Sequence, residues 1–428
     1  MRSDWKRVRL GDHINTQKGF AFKSKWYTDS GRSIVKVSNF TADSVDVSSL
    51  VSIPEEIAAS YLRYELSEDD VVIQTVGSWP SNPQSVVGKA IRVPRNADGA
   101  LLNQNAVKII PGLEFDKSFL FYLLRSENFK EYIVGTAQGA ASQASITLDS
   151  IRYFAFDLPP KNVQSQIAAI LSTYDDLIEN NLRRIKILEE MAQNLYREWF
   201  VKFRFPGHEK VRMVDSSLGK IPGGWGIGTI NDVVDVKSGF AFKSKSFVKD
   251  GDYSLVTIKN VKDGLFIADC ESQIDDLPSN MPAYCHLTTG DILLSLTGNV
   301  GRACLIYGKN YLLNQRVSKL IPKAGVGKGF VYFTFRQAGF RQQLEMIATG
   351  VAQQNLSPVK MGNMEFAIPS EQVLSAFGDY ANVVVDTIIS LNLRNKTLRQ
   401  TRDLLLPKFI SGELDVSELP IATGQEAA

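Results

Sequence analysis

Catalysis would require nucleophiles, bases or metal ligands that converge, and the residues able to supply them are sparse. His13, His208 and His286 are too scattered along the chain to suggest a triad or a multi-histidine metal site. Cys285 beside His286 is the one suggestive pair, but no second ligand pair at a familiar spacing accompanies it, which favours ordinary burial. Cys270, Cys285 and Cys304 all lie in the second half and cannot all pair, so they read as buried thiols in a reducing compartment. Gly88-Lys89 and Gly301-Arg302 are isolated, with neither a Walker phosphate loop nor a Rossmann glycine fingerprint around them. Leu158-Pro159-Pro160-Lys161 lacks the polar residue and the aromatic of an adenine-methylating motif, and reads as a strand-to-helix joint. Asp69-Asp70 and Asp275-Asp276 are acidic neighbours of the kind usually solvated in loops. The expectation is no catalytic residue, no metal and no cofactor on this chain.

What must position any other chemistry is a duplicated framework. Lys18 to Lys25 reads KGFAFKSK and Ser238 to Lys245 reads SGFAFKSK, seven of eight positions identical at an offset of 220. Order is kept along both halves: Trp5 faces Trp225, Asp70-Val71-Val72-Ile73 faces Asp291-Ile292-Leu293-Leu294, Leu102-Asn103-Gln104 faces Leu313-Asn314-Gln315, and Pro159 faces Pro369. So long a repeat implies two similar domains related by a pseudo-symmetry axis rather than a solenoid. Short apolar runs such as Ser33 to Asn39, Asp70 to Val76 and Ala106 to Pro111 read as strands. Helical patterns follow at Lys117 to Ile133 and Gly329 to Ile347, giving an α+β fold class with two pseudo-symmetric globular domains.

After each proline the texture changes. Ile167, Tyr174, Asn181, Leu188 and Leu195 recur every seven residues, with Ile170, Leu177, Ile178, Met191 and Trp199 at the intervening steps. The second copy supplies Phe377, Val384, Leu391, Leu398 and Leu405 in the same phase, with Tyr380, Ile388 and Leu404 between. Two long amphipathic helices would bury these seams against each other, antiparallel if a two-fold axis relates the copies. Asn181 either fixes their register or sits at a solvated edge. The pattern from Gln164 to Phe200 would span roughly 55 Å at about 1.5 Å per residue. The expected divisions are 1–160, a first domain; 161–205, a central helix; 206–221, a turn-rich linker; 222–369, a second domain; 370–412, a distal helix; and 413–428, a loose tail.

The 428 residues carry 48 basic and 46 acidic side chains, a formal charge of +2, so attraction to a polyanion would come from local patches. The start of the chain has no apolar core like a signal peptide, and no run of eighteen apolar residues occurs, which predicts a cytoplasmic protein with no membrane partner.

Two such domains, each followed by a long helix, resemble the specificity subunit of type I restriction-modification systems, and the resemblance covers nearly the whole chain. Its sharpest local signal is Arg402-Asp403-Leu404-Leu405-Leu406-Pro407-Lys408-Phe409-Ile410-Ser411-Gly412-Glu413-Leu414-Asp415-Val416, which resembles the end of that family's distal helix. Ile221-Pro222 before Trp225, the Gly-Phe-Ala-Phe-Lys-Ser repeats and Leu313-Asn314-Gln315 are typical of its target-recognition domains. Tyr196-Arg197-Glu198-Trp199 departs from the Leu406-Pro407-Lys408-Phe409 pattern, so the first helix is expected to run further before it breaks. The resemblance implies a non-catalytic subunit that recognises a bipartite asymmetric site on double-stranded DNA. It also implies two methylation subunits carrying S-adenosylmethionine, and restriction-translocase subunits using ATP and Mg.

On that reading, Lys18, Lys23, Lys25, Lys243 and Lys245 are phosphate contacts or a solvated edge, while Phe20, Phe22, Phe240 and Phe242 are core. Base readout belongs where the copies differ. The offset drops from 221 at Gly77/Gly298 to 213 at Gly88/Gly301, which places an insertion within Ser78 to Val87 of the first copy. Trp79, Asn82 and Gln84 lie in it, and Asn and Gln suit adenine, unless this is an ordinary surface insertion. Asn299, Arg302, Gln315 and Arg316 hold the corresponding places in the second copy, with Arg suited to guanine. Gln143 and Gln354 follow Gly139 and Gly350 in both copies, as a shared backbone contact or a loop cap. Two rivals remain: a coiled-coil adaptor, which would show no salt-dependent affinity for duplex DNA, and a stand-alone nuclease or methylase, which would act on DNA without partners.

Overall fold

The computed structural model describes residues 4–80, 86–140, 143–350 and 354–417. The chain forms two compact units: Met1–Leu177 with Leu398–Ala428, and Ile178–Thr397. Each unit takes a globular head together with a segment of both long helices, so the units cut across the head-helix-head-helix division expected from the sequence.

Both heads have the same α+β plan. In the first, strands Ile14–Lys18, Ala106–Pro111, Val71–Gln74 and Ala90–Arg92 form a four-stranded antiparallel sheet in that order. In the second, Val234–Ser238, Val317–Pro322, Ile292–Ser295 and Ala303–Leu305 repeat it. A second layer repeats too. Arg32–Val35 lies between antiparallel Val51–Ile53 and parallel Leu101–Leu102, as Tyr253–Val256 lies between Gln273–Ile274 and Tyr311–Leu313. The central strands Val71–Gln74 and Ile292–Ser295 are buried throughout, which is why they read as continuous apolar runs rather than alternating ones.

The helical pattern expected over Lys117 to Ile133 is two helices, Lys117–Arg125 and Glu127–Gly135, because Ser126 breaks it and its Oγ accepts from the Phe129 amide as an N-cap. The second head repeats the break at Gln337, between Lys328–Arg336 and Ala338–Ile347. The turn-rich stretch after Arg204 contains a hairpin, Met213–Ser216 paired with Gly219–Pro222. Val416, expected in a loose tail, is buried in the core of the first unit.

The first long helix runs Lys161–Tyr196, then widens into a π-turn over Arg197–Val201, and stops at Phe203, whose φ of 58° ends helical geometry. The second runs Glu371–Ile410 and carries Pro407 in its last turn. Segments of the two are antiparallel within each unit. In the first unit Asp175 meets Arg402; in the second Asn181 meets Asn395 while Tyr196 packs on Phe377.

Buried ion clusters tie each head to these helices. In the first unit the Arg402 guanidinium pairs with Asp175 and lies 3.8 Å from Asp43, and the Tyr122 hydroxyl donates to Asp175 at 2.6 Å. In the second, Glu189 of the first helix accepts from Tyr332 (2.6 Å) and Arg336 (2.8 Å), and Arg336 also pairs with Asp263.

Candidate nucleic-acid interface

The two motifs repeated in the sequence meet in space. The Phe20 amide donates to the Leu102 carbonyl at 3.0 Å and the Gln104 amide to the Phe20 carbonyl at 2.9 Å; Phe240, Leu313 and Gln315 repeat both bonds at the same lengths. Gly19 and Gly239 are required by this contact. A Cβ there would stand 1.9 Å from the Asn103 carbonyl oxygen in one head and 2.1 Å from that of Asn314 in the other. The phenylalanines pack edge to face, 5.1 Å between the Phe20 and Phe22 ring centroids and 5.0 Å between Phe240 and Phe242. They are apolar ballast, but in an extended segment beyond the strand rather than on it, because the Gly-to-Asn contact ends the regular ladder.

The flanking lysines stand outside this packing. Lys18, Lys23, Lys25, Lys243 and Lys245 are exposed, and none has an acidic partner among the described residues. Lys23 lies over the Trp26 ring, 5.5 Å from its centroid. Lys108 and Lys319 differ in kind: they are largely buried and paired with Asp70 at 3.0 Å and Asp291 at 2.7 Å. Burial opposes ionisation of Asp70, yet the Ser67 amide, Lys108 and Lys117 together hold its carboxyl below the usual value. These acids therefore work as structural counter-ions.

From the Leu-Asn-Gln segment a chain of main-chain bonds continues along one rim of each head. Asn105 and Arg316 occupy the same turn, both at φ 71°. The Thr75 amide donates to the Asn105 carbonyl at 2.7 Å and the Leu296 amide to that of Arg316 at 2.9 Å. The Gly-Gln loops close the rim. Val76 and Gly77 pair with Ser145 and Ala144, while the Gly298 amide donates to the Gln354 carbonyl at 3.1 Å and the Leu356 amide to that of Leu296 at 2.7 Å. The second rim thus gathers Lys243, Lys245, Asn299, Gln315, Arg316 and Gln354, all exposed. Arg302 is half-buried at the foot of its hairpin, its amide bonded to Ser295 Oγ at 3.1 Å.

Of the three residues singled out in the insertion of the first head, Trp79 is described. Trp79 is half-buried against the core and its indole N–H donates to the Ala140 carbonyl at 3.0 Å, which anchors the loop. Asn82 and Gln84 lie outside the described residues. Gln143 is exposed, and its amide closes the loop on the Ala140 carbonyl at 3.2 Å. Sequence reasoning passed over Asn105, although the repeated Leu-Asn-Gln immediately before it marked the position.

Along the helices, Ile167 is buried in a core shared with Leu406 and Phe409, Leu405 packs against that core, and Tyr174 and Leu398 are half-buried. Asn181 is buried and donates to Asn395 Oδ1 at 2.8 Å. Leu188 and Leu195 pack against a core that holds Phe377 and Val384, and Leu391 is buried. Leu177, Met191 and Leu404, placed in the seam by periodicity, are 47%, 52% and 69% exposed. A straight helix drifts about 20° per heptad from a 3.5-residue seam, and these helices also pack on the heads, which turns the buried face.

The histidine and cysteine chemistry does not converge. Cys285 is buried and His286 exposed. Among the described residues no group of three or more His, Cys, Asp or Glu is arranged to hold a metal ion. Burial pushes the Cys270 thiol up to about 12 and that of Cys304 higher still, which makes both poor nucleophiles.

The type I restriction modification DNA specificity domain matches residues 2–190 and again 222–376, one match over each head. The chain belongs to this family. As a specificity subunit it recognises DNA sequence within a restriction-modification system and is not the catalytic component. Among its curated relatives, the type I restriction enzyme HindI specificity subunit of Haemophilus influenzae is 22% identical, aligned over 96% of this chain and 100% of its own. The MjaVIII specificity subunit of Methanocaldococcus jannaschii is 23% identical over 97% and 94%. The crystal structure of an S subunit from M. genitalium shares the fold, with a TM-score of 0.55 at 16% identity over 95% of this chain and 96% of that one. Among the described residues no helix is long and apolar enough to cross a membrane.

Proposed function

We propose that this specificity subunit reads a bipartite, asymmetric site on double-stranded DNA, one half-site per head, with the two long helices setting the unread spacer. The observation that carries the reading is the pair of rims: the same main-chain frame and matching lysines, with different exposed side chains between them. Matching lysines suit phosphates, which bear no sequence information, and differing side chains suit base edges. Helices of 36 and 40 residues, roughly 54 and 60 Å at about 1.5 Å per residue, are long enough for half-sites about 34–36 Å apart per turn of DNA.

The partners in this reading are two methylation subunits, which bring S-adenosylmethionine and methylate adenine, and translocase-nuclease subunits, which use ATP and Mg for restriction. The complex works in the cytoplasm. The test is to map every methylated adenine in cells expressing this chain with its methylation partner. A split motif with unlike halves is expected. No motif from an assembled complex would overturn the reading in favour of an adaptor whose heads hold protein.

A further inference from the structure

Among the described residues six non-glycine residues have positive φ, and four of them, Asp69, Asn105, Asp250 and Asn310, are the types that tolerate it. Phe203 is packed in the aromatic cluster around Trp225. Arg316 alone is an exposed, long side chain in this conformation, at the place where the other head has Asn105. Its backbone is held by the Leu296 amide and its neighbour Gln315 by the Phe240 carbonyl, so the main chain does not need an arginine there. Neither Arg316 nor Asn105 makes a side-chain hydrogen bond or ion pair among the described residues. Strain kept at an exposed arginine, with no side-chain partner among the described residues to reward it, directs attention to a ligand outside.

The neighbouring rim positions narrow the role. Lys23 and Lys243, Lys25 and Lys245, and Gln104 and Gln315 are identical in the two heads, so they cannot make the halves of a target unlike. Asn105 and Arg316 share φ, exposure and backbone partner, and differ only in what they present.

Resting on the DNA-reading function above, we propose that Arg316 and Asn105 are equivalent specificity-determining residues, Arg316 selecting guanine in one half-site and Asn105 selecting adenine in the other. Arg pairs bidentately with guanine O6 and N7, and Asn with adenine N6 and N7. One good pair of this kind discriminates against the wrong base by roughly 5- to 150-fold.

The test is methylation mapping with the wild-type complex and with Arg316→Asn, Arg316→Gly and Asn105→Arg. Asparagine and glycine both accept the left-handed turn, so neither Arg316 variant threatens the fold. The expected result is that Arg316→Asn changes one base position in one half-site and Arg316→Gly relaxes that same position, while Asn105→Arg changes one position in the other half-site. Unchanged motifs in all three would overturn the proposal. So would a uniform loss of methylation over all sites without a change in motif, which marks a phosphate contact. A wild-type complex that yields no split motif is a different failure: it removes the DNA-reading function itself.

Discussion

The two ion clusters that fasten heads to helices share one plan, a head tyrosine donating to an acid of the first long helix that also pairs with a buried arginine, and differ in which element supplies that arginine. Arg125 of the first head is matched by Arg336 of the second, and Asp43 and Asp263 stand one position apart in the same turn. In the second unit the first long helix contributes an acid, Glu189, and Arg336 is enclosed by Glu189, Asp263 and the Tyr332 hydroxyl. Burial works against the Arg336 charge, yet its neighbours hold its pKa above the usual guanidinium value. In the first unit the second long helix contributes a base, Arg402. Burial and the nearby Arg402 both lower Arg125, and Asp43 sits 3.9 Å from Arg125 and 3.8 Å from Arg402. In the second unit the cation between the acids, Arg336, belongs to the head; in the first it is Arg402 of the second long helix.

The comparison breaks most sharply at Glu189. Glu189→Ala leaves Arg336 buried with one of its two acids and takes from the buried Tyr332 hydroxyl the carboxylate it donates to, and denaturant unfolding should register a loss of about 3–5 kcal/mol. Arg402→Met is expected to cost less, about 2 kcal/mol, since the hydrogen bonds lost are charged but Tyr122 still donates to Asp175 and Arg125 is relieved of a like charge. Equal losses in the two variants would show that removing the acid of one cluster and the cation of the other cost the same. The smallest effect concerns the amide pair of the second unit. Asn395→Leu alone strands the Asn181 amide and should cost about 1–2 kcal/mol, whereas Asn181→Leu with Asn395→Leu should be near neutral in the same measurement. The Asn395 side-chain nitrogen already has no partner among the described residues, so the double change gives up little.

Much of this was readable before any coordinates. The Gly-Phe-Ala-Phe-Lys-Ser repeat marked two copies, and the change from short apolar runs to heptad spacing after Pro159 and Pro369 marked where each head gives way to helix. The clusters were not readable, because Asp43, Asp175 and Arg402 meet only after folding and nothing local distinguishes them from surface charges. Trp79 is a candidate by its place in the insertion alone, and the carbonyl of Ala140 that its indole N–H meets is distant in sequence. Arg316 was picked for its guanidinium; the left-handed turn that sets it apart is a tertiary property, imposed by the strand pairing on either side.

The rims are stitched almost wholly by main-chain groups, from the Phe20 and Phe240 carbonyls to the amides of Leu296 and Gly298. Backbone groups are the same whatever the residue, and exposed side chains away from special features usually change stability by no more than about 0.5 kcal/mol when replaced. The exposed side chains of the rims can therefore change while the frame stays constant. On the proposed function, a single substitution on a rim would give a new target without an unfolded intermediate.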